Sequence, residues 1–217
     1  SEIAMYLYLF LLTFAVAQRM VPFFSHCMTA KKKNMLKNIF LLLSFHVLLE
    51  GIYTNSAFLV DFALAYVLGK EILSWKLPFP NSNPLLWILH ISLYWVPVAF
   101  FLGGLANFIS LISDTYFLAL DIHTLILGFV FTILIGFGTR VTLGHSGNTM
   151  RSDRWTIFLF YWTQVVVAIR LLVSLVSGFG WNIMVLFEVS VIAWLIMFIL
   201  WGVRFFSVLI AGKKLNS

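Results

Sequence analysis

The sequence predicts an all-α membrane protein, a single bundle of about seven transmembrane helices. Three observations support this fold class. Hydrophobic residues make up 62% of the 217 residues and charged residues only 10%, whereas a soluble domain is about half apolar and about a quarter charged. Apolar stretches long enough to cross a bilayer recur along the chain. The basic residues fall in alternate breaks between these stretches. Lipid, rather than water, must therefore cover much of the surface.

Seven apolar stretches reach the length of about 20 residues that a spanning helix needs. They run over approximately residues 3–24, 35–53, 57–75, 85–109, 116–141, 155–176 and 181–209. The third is the weakest, because Asp61, Lys70 and Glu71 interrupt it. The breaks are rich in proline, glycine and asparagine, which end helices.

The basic residues predict the orientation of the bundle. If the stretches alternate in direction, every one of the 14 basic residues except Arg170 lies on the side opposite the start of the chain. These residues are Arg19, Lys31, Lys32, Lys33, Lys37, Lys70, Lys76, Arg140, Arg151, Arg154, Arg204, Lys213 and Lys214. Basic loops stay in the cytoplasm, so the first residue is expected outside and the last inside. An outside start without a signal peptide predicts further spans upstream.

The remaining composition excludes several classes of protein. The net charge of +6 is explained by membrane orientation, and no basic stripe with exposed aromatic residues suggests a nucleic-acid partner. Cys27 is the single cysteine, which excludes an intrachain disulfide and a paired-cysteine metal site. The nucleotide-binding, nucleophile-elbow and zinc-protease motifs are absent from the sequence.

Ionisable residues within the spans form a layer toward the side where the chain begins. They are His46, Glu50, Asp61, Asp121, His123, Arg170 and Glu188. Such residues are costly in lipid and are usually paired or functional. One interpretation is a locking ion pair of Arg170 with Glu188 or Asp121. Another is a pocket for a cofactor, an ion or a small molecule.

A second polar layer lies toward the basic side. It contains Arg19, His26, Cys27, His90, Arg140 and His145. Neutral imidazole is the commonest metal ligand, and no two histidines have a one-helix ligand spacing, so a metal site must join different helices. A b-type haem between helices is the natural form, because the covalent c-type motif is absent. The alternatives are a hydrogen-bonded core role for His90 and a loop role for His145, which Gly144 and Gly147 flank.

Several motifs resemble the NnrS family of membrane proteins. Residues 121–125, Asp-Ile-His-Thr-Leu, and residues 139–147, Thr-Arg-Val-Thr-Leu-Gly-His-Ser-Gly, resemble its "HALTxG" and "xRVxLGHTGR" segments. Further matches in the same order are residues 19–25 to "GRVIPFFT", residues 86–97 to "LWxLHxGYAWLP", Arg170 to a family arginine and residues 194–204 to "WxLAFxLFxxRY". The likeness covers the whole chain. Asn148 and Thr149 depart from the family's Arg-Pro.

The resemblance implies a bacterial inner-membrane protein of about twelve spans that contains haem and copper and acts in the response to nitric oxide and nitrosative stress. This chain would then be its C-terminal part. The implied metal ligands are His90, His123 and His145, with Arg140 and Arg170 also binding the cofactor. Counting about 1.5 Å per residue separates His90 from His123 by roughly 15 Å in depth, so one metal could not bind both. Two other functions stay open: a transporter or channel whose path uses Asp61, Asp121, Arg170 and Glu188, and a structural membrane subunit.

Overall fold

A computed structural model describes residues 3–27, 34–113 and 115–212 as helices joined by short links. Seven helices form in these ranges, and no strand does. In chain order they are α1 (Ala4–Phe24), α2 (Met35–Ile52), α3 (Phe58–Ser74), α4 (Pro84–Ser113), α5 (Leu120–His145), α6 (Arg154–Gly178) and α7 (Met184–Ala211). The predicted fold class, a polytopic bundle of helices, is confirmed.

Helix α3 differs from the other six in length and charge. Six of the helices described are long and apolar enough to cross a membrane, whereas α3 has 17 residues. Its acidic side chains Asp61 and Glu71 are buried within the protein, at 1% and 5% exposure. They point inward because α3 packs closely on α4, where Gly104 lies against Phe58 and Gly69 against Pro97. The stretch expected to be the weakest span is thus a helix whose acidic side chains are buried against the neighbouring helix.

Contacts between helix ends agree with alternation of successive helices: α1 and α5 run in the same direction, and α6 and α7 run in opposite directions. Tyr6, at the start of α1, donates a hydrogen bond to Asp121, at the start of α5. At the other end of both helices, the Arg140 guanidinium lies 4.2 Å from the centre of the Phe24 ring. Arg204, late in α7, pairs with Asp153, which precedes α6.

We call the two ends of the bundle the starting end, where α1 begins, and the basic end. The described basic residues at the basic end are Arg19, Lys37, Lys70, Lys76, Arg140, Arg151, Arg154 and Arg204. The expected Lys31, Lys32, Lys33, Lys213 and Lys214 lie outside the described residues. The alternation on which the charge argument depends is therefore present in the fold.

Helix α4 lies at the centre of the bundle and packs on α1, α3, α5 and α6. Two glycines of α5 allow it to approach closely: Gly128 lies under the Trp95 ring and Gly136 under Leu89. Small residues have this role at helix contacts in membranes. Beside this contact, the buried rings of Phe10 and Phe129 pack 5.8 Å apart.

Helices α1 and α5 each contain a π-helical segment. These segments are Ala4–Phe10 in α1 and Thr124–Phe131 in α5, and they are neighbours through the Phe10–Phe129 contact. A π-helix widens the turn and is frequent at functional sites. Both segments lie at the starting end, which is therefore a candidate region for a functional site.

Candidate functional site

His123 lies on α5 directly before the π-helical segment, and its protonation pattern follows from its partners. Its Nδ1 is 3.1 Å from the Leu118 carbonyl oxygen, and its Nε2 is 2.9 Å from Arg170 Nη2. A carbonyl oxygen can only accept, so Nδ1 carries the proton. A guanidinium can only donate, so Nε2 contributes its lone pair. His123 is thus a neutral imidazole whose lone pair points at Arg170.

Helix α6 holds both neighbours of this ring. Ser174 and Arg170 are four residues apart and so lie on one helix face. The Ser174 hydroxyl donates to the Leu118 carbonyl at 2.7 Å and lies 3.2 Å from His123 Nδ1. Ala119, with a left-handed φ of 42°, turns the chain into α5 between Leu118 and His123. The ring is therefore fixed from the Nδ1 side.

Arg170 does not form either ion pair expected from the sequence. Its guanidinium lies 5.0 Å from the centre of the Phe187 ring, and its hydrogen bond goes to His123. Glu188 is exposed. It follows Phe187 directly on α7, and consecutive residues of a helix differ by about 100° in direction, so its side chain points away from the face that carries Phe187. Asp121 instead accepts a hydrogen bond from Tyr6. Within the described residues, Arg170 thus has no carboxylate partner.

His123 and Arg170 form the polar edge of a cleft between α1, α5, α6 and α7. Its volume is about 490 Å³, within the range of roughly 300–1,000 Å³ of small-molecule sites. The other lining residues are Met5, Ile122, Ile126, Leu127, Val166, Phe187, Ser190, Val191 and Trp194. An apolar cleft with one imidazole and one uncompensated cation suits a ligand that is mostly apolar and carries a negative group.

The other polar residues at the starting end form a separate, filled cluster. His46 Nδ1 lies 2.6 Å from Asp61 Oδ1, and Asn107 donates to Asp61 Oδ2 at 3.0 Å. The Tyr6 ring packs edge-on against His46, with 4.7 Å between the ring centres, while its hydroxyl reaches Asp121. The void bordered by Tyr6, Asp61 and Asp121 has no room for a water molecule.

This cluster bears on the predicted transport path. Of the four residues proposed for it, the structure brings together Asp61 and Asp121, which both lie against Gly103. Arg170 lines the cleft instead, and Glu188 is exposed. A filled cluster offers no open route for a solute. The cluster joins α1, α2, α3, α4 and α5, which suits a structural role.

His90 lies at the basic end and is fully buried. Its Nε2 is 2.7 Å from the Ser25 hydroxyl and its Nδ1 is 3.2 Å from the Pro78 carbonyl oxygen. Both ring nitrogens therefore bond to the links that follow α1 and α3. Met5, near the start of α1, lines the cleft of His123, whereas Ser25 directly follows the end of α1, about 30 Å further along the helix axis. His90 and His123 thus lie near opposite ends of the bundle.

His145 and Arg140 also lie at the basic end. His145 is exposed and occupies the last turn of α5, so the glycine-flanked loop expected around it is only partly formed. Gly144 is helical, and the left-handed turn occurs at Gly147, with φ of 66°. Arg140 stacks on Phe24. Among the residues that the structure describes, no three His, Cys, Asp or Glu side chains converge as metal ligands. The three predicted ligands are thus not brought together.

The fold and the cleft define a polytopic helical membrane protein with a ligand-sized site between its helices. The family comparison is more specific. The family model described as NnrS protein matches residues 2–213, so the chain belongs to the NnrS family, as its motifs predicted. No curated protein matches the chain, and no solved structure does.

Proposed function

We propose that this NnrS-family membrane protein acts in bacterial defence against nitric oxide and nitrosative stress, and that it holds a haem in the His123 cleft. The observation that carries the proposal is the family match over residues 2–213. The cleft supports it independently, because its volume and its residues suit an apolar cofactor with negative groups.

The residues of the cleft fit a b-type haem. A haem requires an axial ligand, apolar walls and cations for its propionates. His123 would provide the imidazole nitrogen, Arg170 the cation, and Ile126, Val166 and Trp194 the apolar wall. When bound, the iron would supply the coordination position at which nitric oxide binds. The protein residues would orient the cofactor and exclude water from it.

The described residues do not fit a copper site. Copper in proteins is held by several imidazole or sulfur ligands together. Among the described residues, no three His, Cys, Asp or Glu side chains converge, and His90 and His145 lie at the basic end, away from His123. The proposal therefore includes haem only.

The orientation proposal follows from the alternation of the helices. The basic end would face the cytoplasm of a bacterial inner membrane, in agreement with the distribution of basic loops. The cleft, at the starting end, would then lie toward the outer face of that membrane. Nitric oxide, a small uncharged molecule, could reach it from the lipid.

The test is the visible absorption spectrum of the full chain, purified in detergent after growth with a haem supply. We expect a Soret band that shifts when nitric oxide is added. His123→Ala should lose the band, whereas His26→Ala, at an exposed position of the basic end, should keep it. A preparation in which added haem keeps the spectrum of free haem would refute the proposal. A band retained by His123→Ala would refute the assignment of the ligand.

A further inference from the structure

The Nε2 lone pair, with which His123 would bind a metal, already accepts a hydrogen bond. Arg170 Nη2 donates to His123 Nε2 at 2.9 Å, and Nδ1 carries the proton that bonds to Leu118. The imidazole therefore has no free electron pair. A metal can bind this ring only after the guanidinium leaves Nε2.

The charge of the Arg170 guanidinium favours its displacement from His123. It is a permanent cation within a membrane helix, and the described residues give it no carboxylate partner. Its contacts are a neutral imidazole and the face of the Phe187 ring. The hydrogen bond to the imidazole has one ionised partner, whereas a carboxylate adds an opposite charge and can accept two parallel hydrogen bonds from the guanidinium. A carboxylate that enters the cleft would therefore compete well for Arg170.

We propose, on the basis of the proposed function, that Arg170 blocks the Nε2 atom of His123 until a carboxylate of the incoming ligand displaces the guanidinium. We call this blocking contact the guard. The N–H···Nε2 hydrogen bond breaks. The guanidinium keeps all its protons and donates hydrogen bonds to the carboxylate instead. The Nε2 lone pair would then be free to hold the metal. The Nδ1 proton stays with the Leu118 carbonyl, which together with Ser174 holds the ring in place.

This guard defines the class of ligand that the cleft takes. The ligand must bring a metal centre and a carboxylate on one apolar body. A free metal cation brings no carboxylate, and Arg170 repels its charge. A metalloporphyrin whose carboxylates are esterified fills the cleft but leaves the guanidinium on Nε2. The cleft should therefore select a porphyrin with free carboxylates.

The experiment compares haem with haem dimethyl ester as ligands of the full chain in detergent. Trp194 lines the cleft, so quenching of the total tryptophan fluorescence reports binding, and the Soret band reports ligation. We expect the ester to bind about tenfold more weakly than haem or worse, as the loss of a charged hydrogen bond predicts. In Arg170→Met this preference should fall below about threefold, because no guard remains. Arg154→Met, an exposed arginine of the same helix, is the matched control and should keep the preference.

Metal-free protoporphyrin separates the carboxylate contact from the metal contact. It should bind His123→Ala at least as tightly as the unaltered chain, because no imidazole then competes for the guanidinium, and Arg170→Met about tenfold more weakly. Equal binding of haem and its ester to the unaltered chain would overturn the guard and leave the haem proposal intact. A preference retained in Arg170→Met would overturn the role of Arg170. Failure of every porphyrin to bind would overturn both proposals. If Arg170→Met does not fold, the ester comparison on the unaltered chain decides.

Discussion

Gly128→Ala should destabilise the contact between α4 and α5. A β-carbon at this position would lie 2.8 Å from Trp95 Cγ and 2.9 Å from Cδ2, whereas carbon atoms pack at about 3.5–4.0 Å. The indole would have to move by roughly 0.7 Å. It is not free to do so, because Trp95 Nε1 donates to Gln164 Oε1 at 2.9 Å.

The magnitude follows from two costs and one gain. Overpacking costs about 1–3 kcal/mol, and the weakened indole hydrogen bond costs about 1 kcal/mol. Alanine gains back up to about 1 kcal/mol of helix propensity. Gly138→Ala, on the same helix, has the same gain and almost none of the cost, because its nearest neighbour, Trp201, would be 3.6 Å away. The difference between the two variants should be roughly 2–4 kcal/mol.

The measurement is equilibrium unfolding of both variants in mixed micelles, with increasing denaturing detergent. Gly128→Ala should unfold at lower denaturant than Gly138→Ala, and the fluorescence of Trp95 should change in the folded state. Free energies of unfolding that agree within about 0.5 kcal/mol, the usual effect of a neutral substitution, would refute the packing described for α4 and α5.

Three further predictions concern the polar contacts. His46→Leu should cost about 3–5 kcal/mol of unfolding free energy, because it leaves buried Asp61 without the imidazole that lies 2.6 Å away. The double variant His46→Leu/Asp61→Leu should recover most of the loss, and a double variant no more stable than the single one would contradict this. Asp153→Ala should cost about 1 kcal/mol, because it removes the cap on the Thr156 N–H at 2.8 Å. Partial burial opposes ionisation of Asp153, but hydrogen bonds from Thr156 and the Arg204 charge outweigh it and hold the pKa of Asp153 below its usual value. Its stabilisation is therefore present above the ordinary aspartate pKa of about 3.9 and is lost as the pH falls toward the lower folded value. Unfolding of the variant and the unaltered chain should converge in acid, and a constant difference down to that pH would contradict the assignment. Ser174→Ala should weaken haem binding by about tenfold, the usual effect of losing a group that orients a ligand; an unchanged titration would show that Leu118 alone orients the ring.

The sequence predicts the helices well, because lipid imposes long apolar stretches that polar breaks must end. The second stretch was expected over residues 35–53 and the helix is Met35–Ile52. The fifth shows where the pattern is insufficient: it was expected over residues 116–141, and the helix is Leu120–His145. The chain turns into it at Ala119, and Gly144 continues it, since glycine permits a turn without requiring one. Hydropathy alone does not distinguish these cases.

The partners of the polar residues were harder to predict. The sequence placed His46, Asp61, His123 and Arg170 at one depth, and they do lie at one end of the bundle. It did not separate the filled His46–Asp61 cluster from the open cleft of His123 and Arg170. Which residues meet depends on the rotation of each helix about its axis, and helices that are apolar on every side have no periodicity that specifies this rotation. Only the three-dimensional structure shows that Arg170 points at a histidine.

The paired π-helical segments have a consequence for how the two ends of α5 are related. One residue added to or removed from a helix turns everything beyond it by about 100° and moves it by about 1.5 Å. Deleting one residue within Thr124–Phe131 could relax the wide turns to an α-helix, while Thr132–His145 kept its packing. His123 would then turn away from Arg170 and lose the hydrogen bond between them. Asp121 would turn with it and lose the hydrogen bond from Tyr6, so a single insertion or deletion would change the site and the contact of α1 with α5 together.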